Sequence, residues 1–408
     1  MNEKKILFLS IVPPLPKNQG NRLYTFSILK YLISQGFFVD FLMHGGCLTK
    51  EIYEEFGENI KIHVSATETD IMAKCRNRGV LKQNLKSLLS DHSAYKHQIE
   101  EIYYMANSFH PFEFIGNNHM INKAFELLNK YDYDFVVCNY LFTMKIVAKL
   151  KHLIKSPVVL FAHDAHSRLN KIAFKYNVDT QYRACMPDVE AEVLNMADKV
   201  VAITNDEKSY FESIGVYKKI IVSEFSCFDS YKKYKIHPFN FKKKVIFYCA
   251  SDNPSNYMAI TRFLYRVWPC LVSLEPDIKM IISGTICKRI ENKYKNIKIL
   301  GELEHEKMME NMSNSTIGIN PVFWGTGLKI KSVEYMSIGL PFVSFDEGVS
   351  GLSQFNNEAF MIAEDWIDFG KKILMLLDDE EKWMGMSKRA RDIAKNRFID
   401  SVVFKDVL

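Results

Sequence analysis

Little in this sequence is lopsided, and each shortage excludes something. Its 53 basic and 48 acidic side chains leave a net charge of only +5. That lacks the excess a dedicated nucleic-acid binder carries, while leaving an anionic substrate or membrane surface unrepelled. The eight cysteines, at 47, 75, 138, 185, 227, 249, 270 and 287, include no CxxC pair. They give neither a zinc site nor a disulfide framework, and read as reduced thiols of a reducing compartment, with Cys138 and Cys249 inside apolar runs. No uncharged apolar run reaches the ~18 to 20 residues of a membrane crossing. Low-complexity segments and short repeats are missing too. The opening MNEKKILFLSIVPPLP imitates a signal peptide, but Pro13, Pro14 and Pro16 follow at once and no small-residue cleavage site appears. A buried first strand explains the run better. The expectation is a cytoplasmic chain, with peripheral attachment to a membrane left open.

What is present is apolar mass in short pieces. With 408 residues, 48% hydrophobic and 25% charged, the chain can bury two cores. β-rich runs recur between helical stretches: Ile6–Val12, Phe37–His44, Ile60–Ser65, Phe135–Tyr140, Pro157–His163 and Lys199–Thr204 in the first half. The second half repeats the rhythm with Val245–Ala250, Ile278–Gly284, Ile297–Leu300, Thr316–Pro321, Pro341–Phe345 and Ala359–Ala363. Nearly continuous apolar runs of this length suit parallel strands covered on both faces. The fold class is therefore α/β, two doubly wound Rossmann-like parallel-sheet domains. The expected boundaries are 1–228 for the first domain, 229–244 for a linker and 245–384 for the second. Ser226–Lys244 holds Lys232, Lys233, Lys235, Lys242, Lys243 and Lys244, read as a solvated linker in preference to a basic patch. Ligands of such sheets bind beyond the C-terminal strand ends, which would border one interdomain cleft.

Five loops deserve weighing on that ground. In Ser10–Leu32, Gly20 precedes a helix whose N-terminus can receive a phosphate or sugar hydroxyl, with Arg22 as a bidentate donor. An ordinary strand-to-helix turn fits equally. After PVVLFA, His163 stands at a strand end with Asp164, His166 and Arg168 following. His163 can orient a hydroxyl or pass its proton; a structural turn and, less well supported, a metal site are the other readings. Asp132-Tyr133-Asp134 imitates a metal-binding Asp-x-Asp but precedes its strand, at the wrong sheet edge. CASDNPSNYMAI, from Cys249, offers Ser251, Asp252, Asn253 and Asn256 at a helix start, where capping and ligand contact coexist. In GTGLKIKSVEYMSIGLPFVSF, Gly325–Phe345, a helix is expected to end near Ile338, with Gly339 and Pro341 as stop signals. Ile330, Val333 and Ser337 share one face, Glu334 at its border. Lys329 and Lys331 then crowd an already electropositive helix start. Either they are solvated, with Lys331 paired to Glu334, or the loop amides and Lys329 grip a diphosphate while Glu334 accepts from ribose hydroxyls. The second reading accounts for more of the pattern.

At these residues the chain resembles the GT-B-fold retaining glycosyltransferases of family 4, bacterial enzymes of capsule and lipopolysaccharide synthesis. The resemblance runs through nearly the whole length: the proline loop with Gly20 and the helix ending GFFVD, then VLNMADKVVAITNDE, CASDNPSNYMAITRFLYRVWPCL, IKMIISG, IKILGELE and INPVFWGTGLKIKSVEYMSIGLPFVS. Asn21 replaces a usual second glycine and Phe37 a usual histidine. The commonest members hold two glutamates eight positions apart in the last motif; Glu334 matches the second, and Thr326 stands at the first. A Gly-x-Gly-Leu-Lys-x-Lys form is also common in the family. His163 matches, more loosely, the family histidine near the transferred sugar.

The resemblance implies transfer of a sugar from a nucleotide-diphosphate sugar to a glycan or lipid-linked acceptor in surface polysaccharide synthesis, with retention and without a metal or other cofactor. It casts His163, Lys329 and Glu334 as catalytic. Gly20, Arg22, Thr326, Gly327, Leu328, Lys329 and Glu334 would bind the donor diphosphate and ribose, with Ser251, Asn256 and Gly284 as further contacts. It also implies that a C-terminal helix, about 385–408, packs back on the first domain. A nucleotide-sugar epimerase and a non-catalytic nucleotide-sugar-binding scaffold remain the alternatives, the latter kept open by Thr326. The basic amphipathic stretch Arg76–Leu89 reads as a surface helix or, less strongly, as a contact with anionic lipid.

Overall fold

Among the described residues, runs of branched and aromatic residues bounded by turn residues form thirteen strands, nearly all on the expected segments. The computed structural model describes residues 4–44, 49–65, 118–178, 180, 185–234, 236, 243–291 and 293–408; the basic stretch 76–89 lies outside them, as do Cys47, Cys75, Lys235 and Lys242. Six cysteines fall among the described residues, all as free thiols.

The described chain forms two compact units: 1–15, 28–202 and 207–221 in the first; 16–27, 203–206 and 222–408 in the second. In the first, β1 (Lys5–Ser10), β2 (Phe38–Met43), β3 (Ile60–Val64), β4 (Phe135–Asn139), β5 (Val158–Phe161), β6 (Lys199–Ala202) and β7 (Lys219–Val222) make a sheet of order β3-β2-β1-β4-β5-β6-β7. Parallel pairings join β3 through β6. β7 is the strand the sequence reading lacks: KIIV is four residues long and begins with an exposed lysine, too short and too polar at its edge to announce itself. Asp134 lies where β1 and β4 begin, its Oδ2 accepting from the Lys5 N–H at 2.7 Å, so it serves strand entry.

In the second unit, β8 (Val245–Cys249), β9 (Lys279–Ser283), β10 (Ile297–Gly301), β11 (Ile317–Asn320), β12 (Phe342–Ser344) and β13 (Met361–Ile362) follow the order β10-β9-β8-β11-β12-β13, again parallel. Both sheets thus reverse direction beside their first strand, between β1 and β4 and between β8 and β11. Loops leaving such a switch point diverge and open a crevice at the strand ends.

The helix Ile330–Ile338 ends as the sequence indicates, with Gly339 left-handed at φ 78° and the Leu340 N–H bonded back to Tyr335 O at 2.8 Å. Its burial does not follow the one-sided pattern. Ser332 through Ile338 are all buried, because the helix Glu380–Arg397 covers the face turned from the sheet. That C-terminal helix, expected to return to the first domain, belongs to the second unit, where Trp383 Nε1 donates to Thr316 O at 2.8 Å. The segment after β7 is likewise no bare linker. Phe225, Cys227, Phe228 and Tyr231 are buried, and the Cys227 and Phe228 N–H groups both donate to Phe398 O. Lys232, Lys233 and Lys244 each meet a carboxylate, from Asp229, Glu306 and Glu275 respectively.

Gly284, after β9, has φ 94°, and a Cβ there would stand 2.2 Å from Ala250 O. Strain and a backbone clash act together, so Gly284→Ala is expected to destabilise the second unit by roughly 2 kcal/mol or more. All four tryptophans, at 268, 324, 366 and 383, lie in that unit, so denaturation followed by their fluorescence reads it directly. An unshifted midpoint would contradict the close approach.

Candidate functional sites in the two units

In the first unit the polar groups gather at the C-terminal ends of β1, β4 and β5. Ser10 and Asn139 are register partners, and Asn139 pairs with Phe161, two residues before His163. Ser10 Oγ donates to Val12 O at 2.8 Å and accepts from Asn139 Nδ2 at 2.8 Å. The Asn139 amide is thereby oriented, and its Oδ1 must accept, so the His163 Nε2 facing it carries the proton. Burial holds the His163 pKa down at about 3, with His166 contributing; at neutral pH it is an uncharged imidazole in the Nε2–H tautomer. Tyr140 stacks on His163 with centroids 3.9 Å apart, and both have left-handed backbones, φ 75° and 65°. Non-glycine residues in that region cost of order 1 kcal/mol or more each and persist only where their surroundings fix them.

The helix after His163, His166–Lys175, has no local side-chain cap. Glu190, fully buried on the helix Pro187–Leu194, caps it instead: Oε1 accepts from the His166 N–H at 2.7 Å and Oε2 from the Ser167 N–H at 3.1 Å. Glu207 accepts from the Ala165 N–H at 3.3 Å. No signal in the sequence marks these carboxylates, because their partners lie 24 and 42 residues away. His166 is buried against Phe142, not turned out with His163 as a ligand pair.

In the second unit the site forms where β8 and β11 diverge. Asn253 caps the helix Pro254–Arg266 by accepting from the Asn256 N–H at 2.8 Å, and Asn256 Nδ2 donates to Ser251 O at 3.0 Å. After β11, Asn320 Nδ2 donates to Ser332 Oγ at 2.9 Å, tying the helix Ile330–Ile338 to its strand. Gly325 and Gly327 have φ 135° and 73°, which lets the loop double back. Lys329 Nζ consequently donates to Thr326 O and to Gly327 O. Lys329, the N-cap residue of the helix that starts at Ile330, makes no side-chain cap bond.

The alternative reading, with Lys331 solvated and paired to Glu334, is not what the structure shows. Lys331 Nζ donates to Asn256 Oδ1 at 2.9 Å and lies 4.7 Å from the Tyr248 ring centroid. Glu334 Oε1 accepts from the Tyr231 hydroxyl at 2.9 Å. Burial pushes Glu334 up to about 7, opposed by that hydrogen bond and by Lys331. Burial likewise pulls Lys331 down to about 7. Tyr231 is another residue the sequence reading missed; it sits in the stretch read as a linker. Gly20 and Arg22 fall in the same unit: a Cβ at Gly20 would press on Ile330 Cδ1 at 2.9 Å, and half-buried Arg22 feels Glu302. Leu328 is buried beneath the loop. Among the described residues no three His, Cys, Asp or Glu side chains gather as metal ligands, and no helix is long and apolar enough to cross a membrane.

Two Rossmann-like parallel-sheet domains, of seven and six strands, define the GT-B architecture of glycosyltransferases. Residues 243–379 match the family described as Glycosyl transferases group 1. The chain is 25% identical over 395 residues to an uncharacterized 44.6 kDa protein in the cps region of Klebsiella pneumoniae, covering 91% of this chain and 90% of that protein. Among solved structures it resembles sucrose-phosphate synthase from Thermosynechococcus elongatus (TM-score 0.67, 12% identity, 98% and 97% of the two chains). It also resembles HepE from Anabaena in complex with UDP and glucose (TM-score 0.65, 14% identity, 99% and 98%). A third is TarM of S. aureus with UDP (TM-score 0.65, 13% identity, 98% of each chain).

His166 supplies a test of the first unit's electrostatics. Burial lowers its pKa from 6.5 to about 4, so between those values the unfolded chain binds a proton that the folded one refuses. Stability is therefore intact above pH 6.5 and lost as pH falls toward 4. His166→Leu removes that loss: on going from pH 7 to pH 5, the opening free energy of the β5 amides by hydrogen exchange should fall by roughly 2 kcal/mol less than in wild type. Equal falls would refute the assignment.

Proposed function

We propose that this chain is a retaining glycosyltransferase that moves a sugar from a nucleotide-diphosphate sugar to a glycan or lipid-linked acceptor in surface polysaccharide synthesis. The observation that carries the reading is the second unit's switch-point loop, where Lys329, an uncapped helix start and a buried carboxylate, Glu334, meet beside the Asn256 loop. A dinucleotide-type sheet presents those groups where a diphosphate and a ribose fit. The family match over 243–379 supports the transferase class. UDP or UDP-glucose in the related structures supports a nucleotide-sugar donor, and the cps-region relative supports a polysaccharide product.

On this reading the second unit takes the donor and the first the acceptor. Charge develops on the departing diphosphate, so its stabilisation dominates catalysis. Lys329 and the Gly327 and Leu328 amides supply it, with Arg22 as a further donor and Thr326 near the transferred sugar. Turning to the phosphate, Lys329 gives up its hydrogen bonds to the Thr326 and Gly327 carbonyls for charge-assisted ones to an anion. Ser251, Asn256 and Gly284 shape the β8 and β9 loops around the nucleotide. Among the described residues no carboxylate pair suited to double displacement is evident, so substitution proceeds on one face, helped by the leaving phosphate. His163, neutral and fixed by Asn139, orients a sugar hydroxyl and is not a proton donor at neutral pH. Positive side chains and amides serve in place of a metal, and the reaction belongs on the cytoplasmic side of a membrane.

Thermal shift against ADP, GDP, CDP, UDP and dTDP and their sugars should show stabilisation by one donor class; none would sink the proposal. Lys329→Ala should cut turnover about a hundredfold while the protein stays folded, and an unchanged rate removes Lys329 from the mechanism. Transfer or donor hydrolysis above background excludes the non-catalytic scaffold, and product analysis without acceptor separates an epimerase.

A further inference from the structure

We propose that Tyr231 is the positioning residue that aims Glu334 at the ribose diol of the donor, an inference that rests on the reading above. Glu334 accepts one hydrogen bond among the described residues, from the Tyr231 hydroxyl to Oε1. Lys331, one turn away, is committed to Asn256. A carboxylate has about four acceptor positions, so the second oxygen keeps its capacity for ligand hydroxyls while the first is pinned. Tyr231 is itself held firmly. It is buried at the end of the short helix Phe228–Tyr231, whose start is bonded to Phe398 O, and its ring lies 5.3 Å from His305. Glu334 rides on a helix buried all round. Both ends of the hydrogen bond are thus anchored, and the carboxylate has little freedom to turn from the diol. A phenol suits the task because it donates without carrying a charge that would compete with Lys329 for the diphosphate.

The test compares a nucleoside diphosphate with its 2′,3′-dideoxy form, using whichever base binds wild type best in the panel. Wild type should prefer the form with ribose hydroxyls. In Tyr231→Phe that preference should fall by about tenfold, the loss expected of a hydrogen bond to a charged group, while affinity for the dideoxy form stays unchanged. In a Glu334→Ala background, where the preference is already lost, Tyr231→Phe should have no further effect. A general weakening of both forms would make Tyr231 merely structural, and an unchanged preference in folded Tyr231→Phe would overturn the proposal with donor binding intact. Should Tyr231→Phe not fold, Tyr231→Leu, which likewise lacks a donor, is read by the same ratio; wild-type preference there overturns the proposal too. If wild type binds no nucleotide, the proposed function itself fails.

Discussion

A carboxylate and an ammonium are interred within one turn of helix, at Glu334 and Lys331, and much of the second unit answers to that burial. Removing a charge from water costs several kcal/mol unless polar partners replace the lost hydration. The partners here come from distant parts of the chain: Tyr231 from the segment after β7, Asn256 from the helix after β8, and the Tyr248 ring from β8 itself. Each of these must be held in turn. Asn253 caps the Asn256 helix, and Phe398 O anchors the Tyr231 segment. The cost is still not fully offset, since burial leaves Glu334 and Lys331 both near 7. Two ionisable groups buried at such expense are a poor device for stability alone, and a ligand bringing hydroxyls and negative charge would relieve the cost.

The first unit solves a related problem without charge. Ser10, Asn139 and His163 lie on three strand ends, and each hydrogen bond removes an ambiguity left by the one before. Ser10 fixes the amide, the amide fixes the imidazole tautomer, and stacking on Tyr140 fixes the ring plane. Two left-handed backbones, at Tyr140 and His163, are tolerated to bring this about. Both clusters lie where each sheet reverses its winding, at the strand ends flanking β1 and β4 and flanking β8 and β11. The topology alone thus selects which loops can carry chemistry.

What the sequence revealed divides along the range of the interactions involved. Strands buried on both faces write themselves as local apolar runs, so the twelve expected segments fall on strands, and among the described strands only β7 escapes. The stop at Gly339 is equally local. Glu334, Lys331 and His163 could be singled out because their position beside glycines, helix starts and strand ends is a near-neighbour property. Tyr231, Glu190 and Asn139 could not. Tyr231 meets Glu334 across 103 residues, Asn139 meets Ser10 across 129, and Glu190 caps a helix that starts 24 residues before it. Lysines around Tyr231 masked its buried spacing with Phe228, and the all-round burial of Ile330–Ile338 depends on a helix that begins at Glu380.

Thr326 connects these strands of argument. Where the commonest members of the family it resembles place a glutamate, this loop offers an uncharged side chain, and between Gly325 and Lys331 it contains two lysines and no acid. A glutamate at that position would stand three residues from Lys329 and partly neutralise it. Here Lys329 donates to the Thr326 and Gly327 carbonyls and interacts electrostatically with Glu347, with no carboxylate of its own loop set against an incoming anion. The same change removes a carboxylate acceptor for hydroxyls of the transferred sugar. On the proposed reading, the loop trades sugar recognition for diphosphate attraction. That leaves ribose recognition to the one carboxylate retained, Glu334, and so makes its orientation by Tyr231 more consequential than it would be in a loop holding both acids.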